Sequence, residues 1–497
     1  MAHPGTPQPQ TVIPRGSHAA PPVLPEAHVP GADPLVLSGT VGPARADKLD
    51  TAFRKAREAL AGRRIIDVNS TMNGGGVAEM LHRLQRYSRG AGLDARWFTM
   101  LGDPAFFALT KQLHHFLHGA NASGPPLDRA GTEHYAAVCE ANARALLRAV
   151  RPGDVVTLHD PQAAGLVAHL RLAGARVVWR CHIGTDHPNP YTDRAWAFLQ
   201  PWLEMADAYV FSREQYVPGW LAGRRVAVIR PSIDPLSAKN RPLAPSAAAA
   251  ILRRVGLRAP ADGHDGPAIY RRGDGSVGHV RRNPTSLYSA SPPPADAPLI
   301  VQVSRWDPLK DMASVLTSFA EADGSLDGAH LALVGPDVTG VTDDPEGGQV
   351  FAECVALWQR LPDRVRTRVH LACLPMADSE ENAVIVNALQ CSAAVVTQKS
   401  LAEGFGLTVT EAMWKGRAVV ASAVGGIRDQ IEHGVHGILL DDPRDSVSFA
   451  AHTSRLVGDH CLAGALGAGA RRRVQENFLD DRQLLQQTSL YRKVARL

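Results

Sequence analysis

Short runs of apolar, largely β-branched residues, each closed by polar residues, recur along most of the chain. The first is RRIIDVNS (63–70), and DVVTLHD (154–160), ARVVWRCHI (175–183), DAYVFS (207–212) and RVAVIRPSI (225–233) repeat its design. A second series runs PLIVQVSRW (298–306), HLALVGP (330–336), RVHLACLP (368–375), AAVVTQKS (393–400) and RAVVASAVGG (417–426). Apolar runs of this length read as strands buried on both faces. Helix-period segments lie between them. In VAEMLHRLQRY, Val77, Met80, Leu81 and Leu84 fall at i, i+3, i+4 and i+7, one face of a helix. Strands alternating with amphipathic helices predict the α/β class, with parallel sheets covered on both faces. The two series predict two Rossmann-like, doubly wound domains.

The rhythm fails in two places. Residues 1–45 are rich in Pro, Ala, Gly and His without any period, which predicts a disordered tail. Residues 236–297 hold one helical stretch, SAAAAILRRVG, and then polar, Gly- and Pro-rich sequence. They read as a linker with an inserted loop or small hairpin. The expected layout is a tail (1–45), a first domain (46–235), a linker and insert (236–297), a second domain (298–475) and a closing helical segment (476–497).

Composition narrows the function classes. A chain of 497 residues exceeds what one hydrophobic core supports. Fifty-three basic against 49 acidic side chains give a formal charge of +4, not the concentrated basic face of a nucleic-acid-binding protein. Arg471, Arg472 and Arg473 read as solvated helix surface. No run approaches the roughly 20 apolar residues of a membrane helix, and the Pro-rich N-terminus lacks a signal-peptide core. Cys139, Cys181, Cys354, Cys373, Cys391 and Cys461 are scattered, with neither a disulfide framework nor zinc spacing. Reduced, mainly core thiols in a cytoplasmic protein are expected, Cys181 lying beside a candidate site.

Ligands of open α/β sheets bind at the carboxyl ends of strands. After IIDVNS comes Thr71-Met72-Asn73-Gly74-Gly75-Gly76 and then a helix, an arrangement that cradles phosphate or simply makes a tight turn. It is neither a GxGxxG fingerprint nor a P-loop. ARVVWRCHI delivers His182 to a strand end, with Asp186 and His187 in the loop beyond. LHDPQ places His159, Asp160 and Gln162 just past a strand, where polar groups can meet hydroxyls. A histidine so placed is either structural or functional. Arg305 and Lys310, in VSRWDPLKD, suit a diphosphate, although either alone also suits a protein surface. The sharpest signal is KSLAEGFGLTVTEAMWKG (399–416). Glu403 sits in the loop and Glu411 inside the following helix. Gly404, Phe405, Gly406, Leu407 and Thr408 lead into the helix N-terminus, whose free N–H groups favour an anion. A carboxylate pair alone is often a solvated helix face; the glycines, the preceding strand and the upstream cations argue otherwise.

These residues resemble the glycosyltransferase family 4 pattern. Glu403 and Glu411 match its E-x7-E signature, and Arg305 and Lys310 its diphosphate pair. DVNSTMNGGGVAEML, LHDPQAAGL, VWRCHIG, RPSIDPLSAKN and VTQKSLAEGFGLTVTEAMWKG are similar to the narrower branch of trehalose glycosyltransferring synthases. The likeness covers roughly 60–235 and 298–495. It implies a GT-B fold, two Rossmann-like domains facing a cleft, with a C-terminal helix crossing back onto the first domain. It implies reversible, retaining transfer of glucose from NDP-glucose to free glucose, giving α,α-trehalose and NDP; the rival readings are a trehalose phosphorylase, another small-acceptor family 4 glycosyltransferase and, outside enzymes, a nucleotide-sugar sensor. Catalytic roles then fall to His182, Arg305, Lys310 and Glu403, donor binding to 404–408 and Glu411, and phosphate or acceptor contacts to Gly75, Gly76, Asp160, Gln162 and Asp186. The scheme needs no metal or other cofactor, with room for Mg2+ stimulation. A homodimer fits the family; a membrane or nucleic-acid partner does not. The departures are Gly184, where the family usually carries aspartate with Asp186 two residues on, and a longer insert near 256–297.

Overall fold

The computed structural model describes residues 23–72, 75–260, 266–281, 283–326, 328–338 and 346–497. It divides into two units: 1–229 with Leu484–Leu497, and Arg230–Gln483.

The first unit is built on six parallel strands: β1 (Ile65–Asn69), β2 (Ala95–Thr99), β3 (Val155–His159), β4 (Arg176–Cys181), β5 (Ala208–Phe211) and β6 (Val226–Val228). Their spatial order is β2-β1-β3-β4-β5-β6. The order reverses between β1 and β3, which register Ile65 against Val155. The helix Gly75–Gly90 follows β1 and buries Met80, Leu81 and Leu84, with Val77 half-buried. Leu484–Leu497, most of the last helix, groups with this unit, where Gln487 accepts a hydrogen bond from Arg180 (3.2 Å).

Residues 23–45 correct the expected tail. They are ordered against the first unit, with Leu24, Val29 and Leu37 buried and helix from Ser38. Composition misread them because an edge strand holds them. Ala27 N–H donates to Trp97 O (2.8 Å) and Thr99 N–H to Pro25 O (3.0 Å), a single antiparallel bridge of Glu26 to Phe98 at the β2 edge. The Arg96 guanidinium grips Glu26 through both oxygens (2.7 and 2.6 Å). Residues 1–22 lie outside the described residues.

In the second unit a two-stranded hairpin, β7 (Ile269–Arg271) and β8 (Val277–His279), precedes β9 (Ser286–Tyr288). Then come β10 (Leu299–Val303), β11 (His330–Pro336), β12 (Val369–Leu374), β13 (Val395–Gln398), β14 (Ala418–Ser422) and β15 (Ile438–Leu440). The sheet order is β15-β14-β13-β10-β11-β12-β9. All neighbours are parallel except the β9 edge. Order reverses between β10 and β13.

The stretch 236–297 is thus more than a linker. Its hairpin is tied down by Arg272 to Asp378 (2.6 Å) and Glu380 (3.3 Å), and β9 completes the sheet. The helix Pro245–Arg254 packs on Ser379–Ser392. Cys139, Cys181, Cys354 and Cys373 are buried, whereas Cys391 is half-buried and Cys461 exposed, so the core reading fails for those two. Among the described residues no helix is long and apolar enough to cross a membrane.

A buried histidine pair is expected to make this unit acid-sensitive. His330 Nδ1 lies 2.9 Å from His370 Nε2, and Ser289 Oγ 2.7 Å from His370 Nδ1. Burial pushes His330 down to about 4 and His370 to about 3; Arg368 presses on the first, and the neighbouring His330 on the second. The unfolded chain protonates near 6.5, so below that pH it binds protons the native state refuses, and stability falls as pH falls. Each histidine is expected to cost about 1–2 kcal/mol between pH 7 and 5. Urea midpoints should drop over that range and drop less in His370→Gln. Equal slopes would refute the assignment.

Candidate active site

The strongest constellation assembles at the order reversal of the second sheet, the place where ligands of open α/β sheets bind. Strand β10 ends at Val303 and the chain turns through Arg305 into the short 3-10 helix Pro308–Lys310, capped by Asp307. Strand β13 ends at Gln398 and leads to Glu403. The two loops meet: Lys310 Nζ lies 2.8 Å from Glu403 Oε1. That same oxygen accepts from Ser400 Oγ (3.0 Å) and Gln398 Nε2 (3.3 Å). Thr408 Oγ1 in turn donates to Gln398 Oε1 (2.9 Å). The Glu403 carboxylate, 8 % exposed, is thereby held in one place. Arg305, more exposed, pairs with Asp307 at 3.1 Å.

The turn after Glu403 needs its glycine. Gly406 has φ +83° as the N-cap of the helix Leu407–Trp414. That left-handed geometry costs a side-chain-bearing residue but not glycine. Gln430 locks the turn by donating to Phe405 O (2.5 Å) and Gly406 O (3.3 Å). Gly404 O accepts from Gly426 N–H (3.3 Å), and Phe405 is buried beside Phe478. Glu411 lies one turn inside the helix, 1 % exposed, its Oε1 3.5 Å from Lys239 Nζ. Lys239 was missed in the sequence; it lies in the stretch RPSIDPLSAKN, 172 positions upstream.

The first unit gathers a second group. His159 ends β3 and His182 follows β4, with His159 Nδ1 and His182 Nε2 3.0 Å apart. His159 Nε2 reaches Asp67 Oδ1 at 2.9 Å, and Gln85 Nε2 donates to Asp67 Oδ2 at 2.7 Å. Asp160 adopts φ +61°, a strained geometry for a residue with a side chain, and its Oδ1 accepts from His182 N–H (2.8 Å). Burial raises the Asp160 carboxyl to about 7, against the pull of that N–H and of Arg180. Arg180 is wholly buried and lowered to about 10 by desolvation. Tyr491, buried on the last helix, is pushed up by burial and by the charge of Asp67.

The remaining expected contacts are spread more loosely. Gln162 is half-buried in the short helix Asp160–Ala163. Gly75 and Gly76 are exposed at the start of their helix, while Asn73 and Gly74 lie outside the described residues. Asp186 is paired with Arg213, whose guanidinium also lies over the Tyr216 ring (5.4 Å). Gly184 leaves no room for a side chain, since a Cβ there would stand 2.2 Å from Tyr216 Cγ. Asp67, Arg180 and Tyr491 escaped the sequence reading. For Asp67 and Arg180 the local signal was a charged residue inside an apolar strand, IIDVN and RVVWRC.

Comparison with known proteins agrees with this architecture. The family model for the trehalose synthase N-terminal domain matches residues 67–218, and that for glycosyl transferases group 1 matches 297–459. A trehalose synthase of Rubrobacter xylanophilus is 34% identical over 438 residues, 88% of this chain and 91% of its own. A trehalose phosphorylase of Pleurotus pulmonarius is 26% identical over 82% of this chain but only 54% of its own. The solved structure of the trehalose-6-phosphate protein from E. coli bound with UDP-2-fluoro glucose superposes with a TM-score of 0.63 at 14% identity, covering 87% of this chain and 99% of that one. The likeness in fold is to GT-B glycosyltransferases. With two α/β sheets, a carboxylate–lysine pair at the reversal point of the second, and a relative this similar along nearly its whole length, the chain belongs to the trehalose synthase family of glycosyltransferases.

Proposed function

We propose that this chain is a retaining transferase that moves glucose from NDP-glucose to the anomeric hydroxyl of free glucose, giving α,α-trehalose and NDP. The observation that carries the reading is the Lys310–Glu403 pair beside the N-terminus of the helix Leu407–Trp414. It offers a cation, a fixed carboxylate and the backbone N–H groups of a helix N-terminus to one sugar diphosphate.

In this reading the acceptor oxygen bonds to donor C1 as the C1–O(phosphate) bond breaks, on the same face. The acceptor proton passes to the departing diphosphate. Arg305, Lys310 and the N–H groups of 404–408 stabilise the growing negative charge. Glu403 orients donor hydroxyls, His182 holds the donor glucose, and Glu411 takes the ribose. Asp160, Gln162 and Asp186 are assigned to the acceptor, and Gly75 and Gly76 to phosphate. No step calls on a metal.

One observation favours a second reading. Glu411 is covered and faces Lys239, a state that suits phosphorolysis of trehalose, which needs no ribose contact. Incubation with ADP-, UDP- or GDP-glucose, with and without glucose, separates the two when products are followed by NMR. Glucose-dependent NDP release with a non-reducing α,α-disaccharide is the expected result. No release from any donor, with glucose 1-phosphate formed from trehalose and phosphate, would replace the transferase by the phosphorylase.

A further inference from the structure

The ring of His182 is controlled from behind by a chain of hydrogen bonds. Asp67 lies buried in mid-strand, and both its oxygens are engaged, Oδ2 by Gln85 Nε2 (2.7 Å) and Oδ1 by His159 Nε2 (2.9 Å). A carboxylate only accepts, so His159 carries its proton on Nε2 and keeps a lone pair on Nδ1. His182 Nε2 lies 3.0 Å from that lone pair and must donate to it. A neutral imidazole has one donor and one acceptor, which leaves His182 Nδ1 as the acceptor. Burial disfavours the charged form of both rings. Burial lowers His159, and burial with the charge of Arg180 lowers His182 well below its ordinary value. The rings stack 8° from parallel, and the His182 N–H is tied to Asp160 Oδ1 at 2.8 Å. Among the described residues no protein group hydrogen-bonds His182 Nδ1, and His182 keeps partial exposure at the strand end.

We propose that Asp67 and His159 are positioning residues that lock His182 in its Nε2–H tautomer, so that Nδ1 accepts a hydrogen bond from a hydroxyl of the bound hexose. An acceptor there raises electron density on the sugar oxygen and eases the growth of positive charge at the anomeric carbon; a donor would oppose it. The catalytic purpose rests on the role proposed above for His182. The tautomer itself rests only on the hydrogen bonds.

Asp67→Asn tests the chain with almost no change of shape. Gln85 Nε2 also donates to Arg96 O (3.2 Å), which holds the Gln85 amide in its present orientation. The amide introduced by Asp67→Asn must therefore turn its oxygen to Gln85 and its NH2 to His159. His159 then accepts on Nε2 and donates from Nδ1, and His182 is driven to the Nδ1–H form. Long-range 1H–15N spectra of ligand-free protein labelled with 15N-histidine, with His182 assigned through His182→Gln, read this directly. We expect Nε2–H in the parent and Nδ1–H in Asp67→Asn, with kcat falling about 100-fold at unchanged thermal midpoint. In a His159→Asn background, where the chain is already cut, Asp67→Asn should change neither tautomer nor kcat further. An Nδ1–H parent, or an Nε2–H form that persists in Asp67→Asn, overturns the proposal. A reversed tautomer with unchanged kcat upholds the lock and overturns its catalytic purpose. Because the spectra need no turnover, they stand even if no donor is used.

Discussion

Glu403→Ala is expected to lower kcat about 1000-fold with the protein still folded, a loss of roughly 4 kcal/mol of transition-state stabilisation. Lys310, Ser400 and Gln398 converge on one Glu403 oxygen at 2.8, 3.0 and 3.3 Å. The carboxylate is therefore placed before substrate arrives, and its removal also leaves the Lys310 ammonium, at 16 % side-chain exposure, without this partner. Glu403→Gln should recover shape but little rate, since an amide neither balances Lys310 nor accepts as strongly. Glu411→Ala should act differently, raising the donor KM about tenfold with a smaller change in kcat, because ribose is remote from the reacting carbon. Steady-state kinetics on both variants, beside urea midpoints for folding, checks the contrast. Unchanged kinetics in both would sink the assignment of the whole loop.

The second large effect concerns packing. Gly184→Asp should destabilise the first unit by about 3 kcal/mol. The reason is steric: the new Cβ would stand 2.2 Å from Tyr216 Cγ and 2.5 Å from both Cδ atoms, and Tyr216 is itself only 4 % exposed. The ring cannot simply step aside, since it carries the Arg213 guanidinium that pairs with Asp186. Calorimetry should show the transition of the first unit falling by about 6–12 °C. Tyr216→Ala added to Gly184→Asp should recover part of the loss. A variant as stable as its parent would show that the loop relaxes freely. The same packing bears on acceptor binding, because any contact made by Asp186 is shared with Arg213.

Where burial is a local property, the amino-acid sequence determined the structure visibly. Ten apolar runs became ten strands, from β1 at Ile65–Asn69 to β14 at Ala418–Ser422. The polar residues at their carboxyl ends carried Arg305, Lys310, Glu403, His159 and His182 into two groups, because a parallel sheet places those ends together. The strands that escaped were β2 (ARWFT), β9 (SLY) and β15 (ILL), the last two of three residues each. Their pairing depends on neighbours far along the chain, as does that of residues 23–45, whose order comes from the edge of β2. Tertiary structure alone decided the partners of the charges. Asp67 meets His159 across 92 positions, Arg180 meets Gln487 across 307, and Glu411 meets Lys239. Nothing in a local period encodes such contacts. A buried charge is tolerated only where the fold brings it a partner, and that partner is chosen by topology.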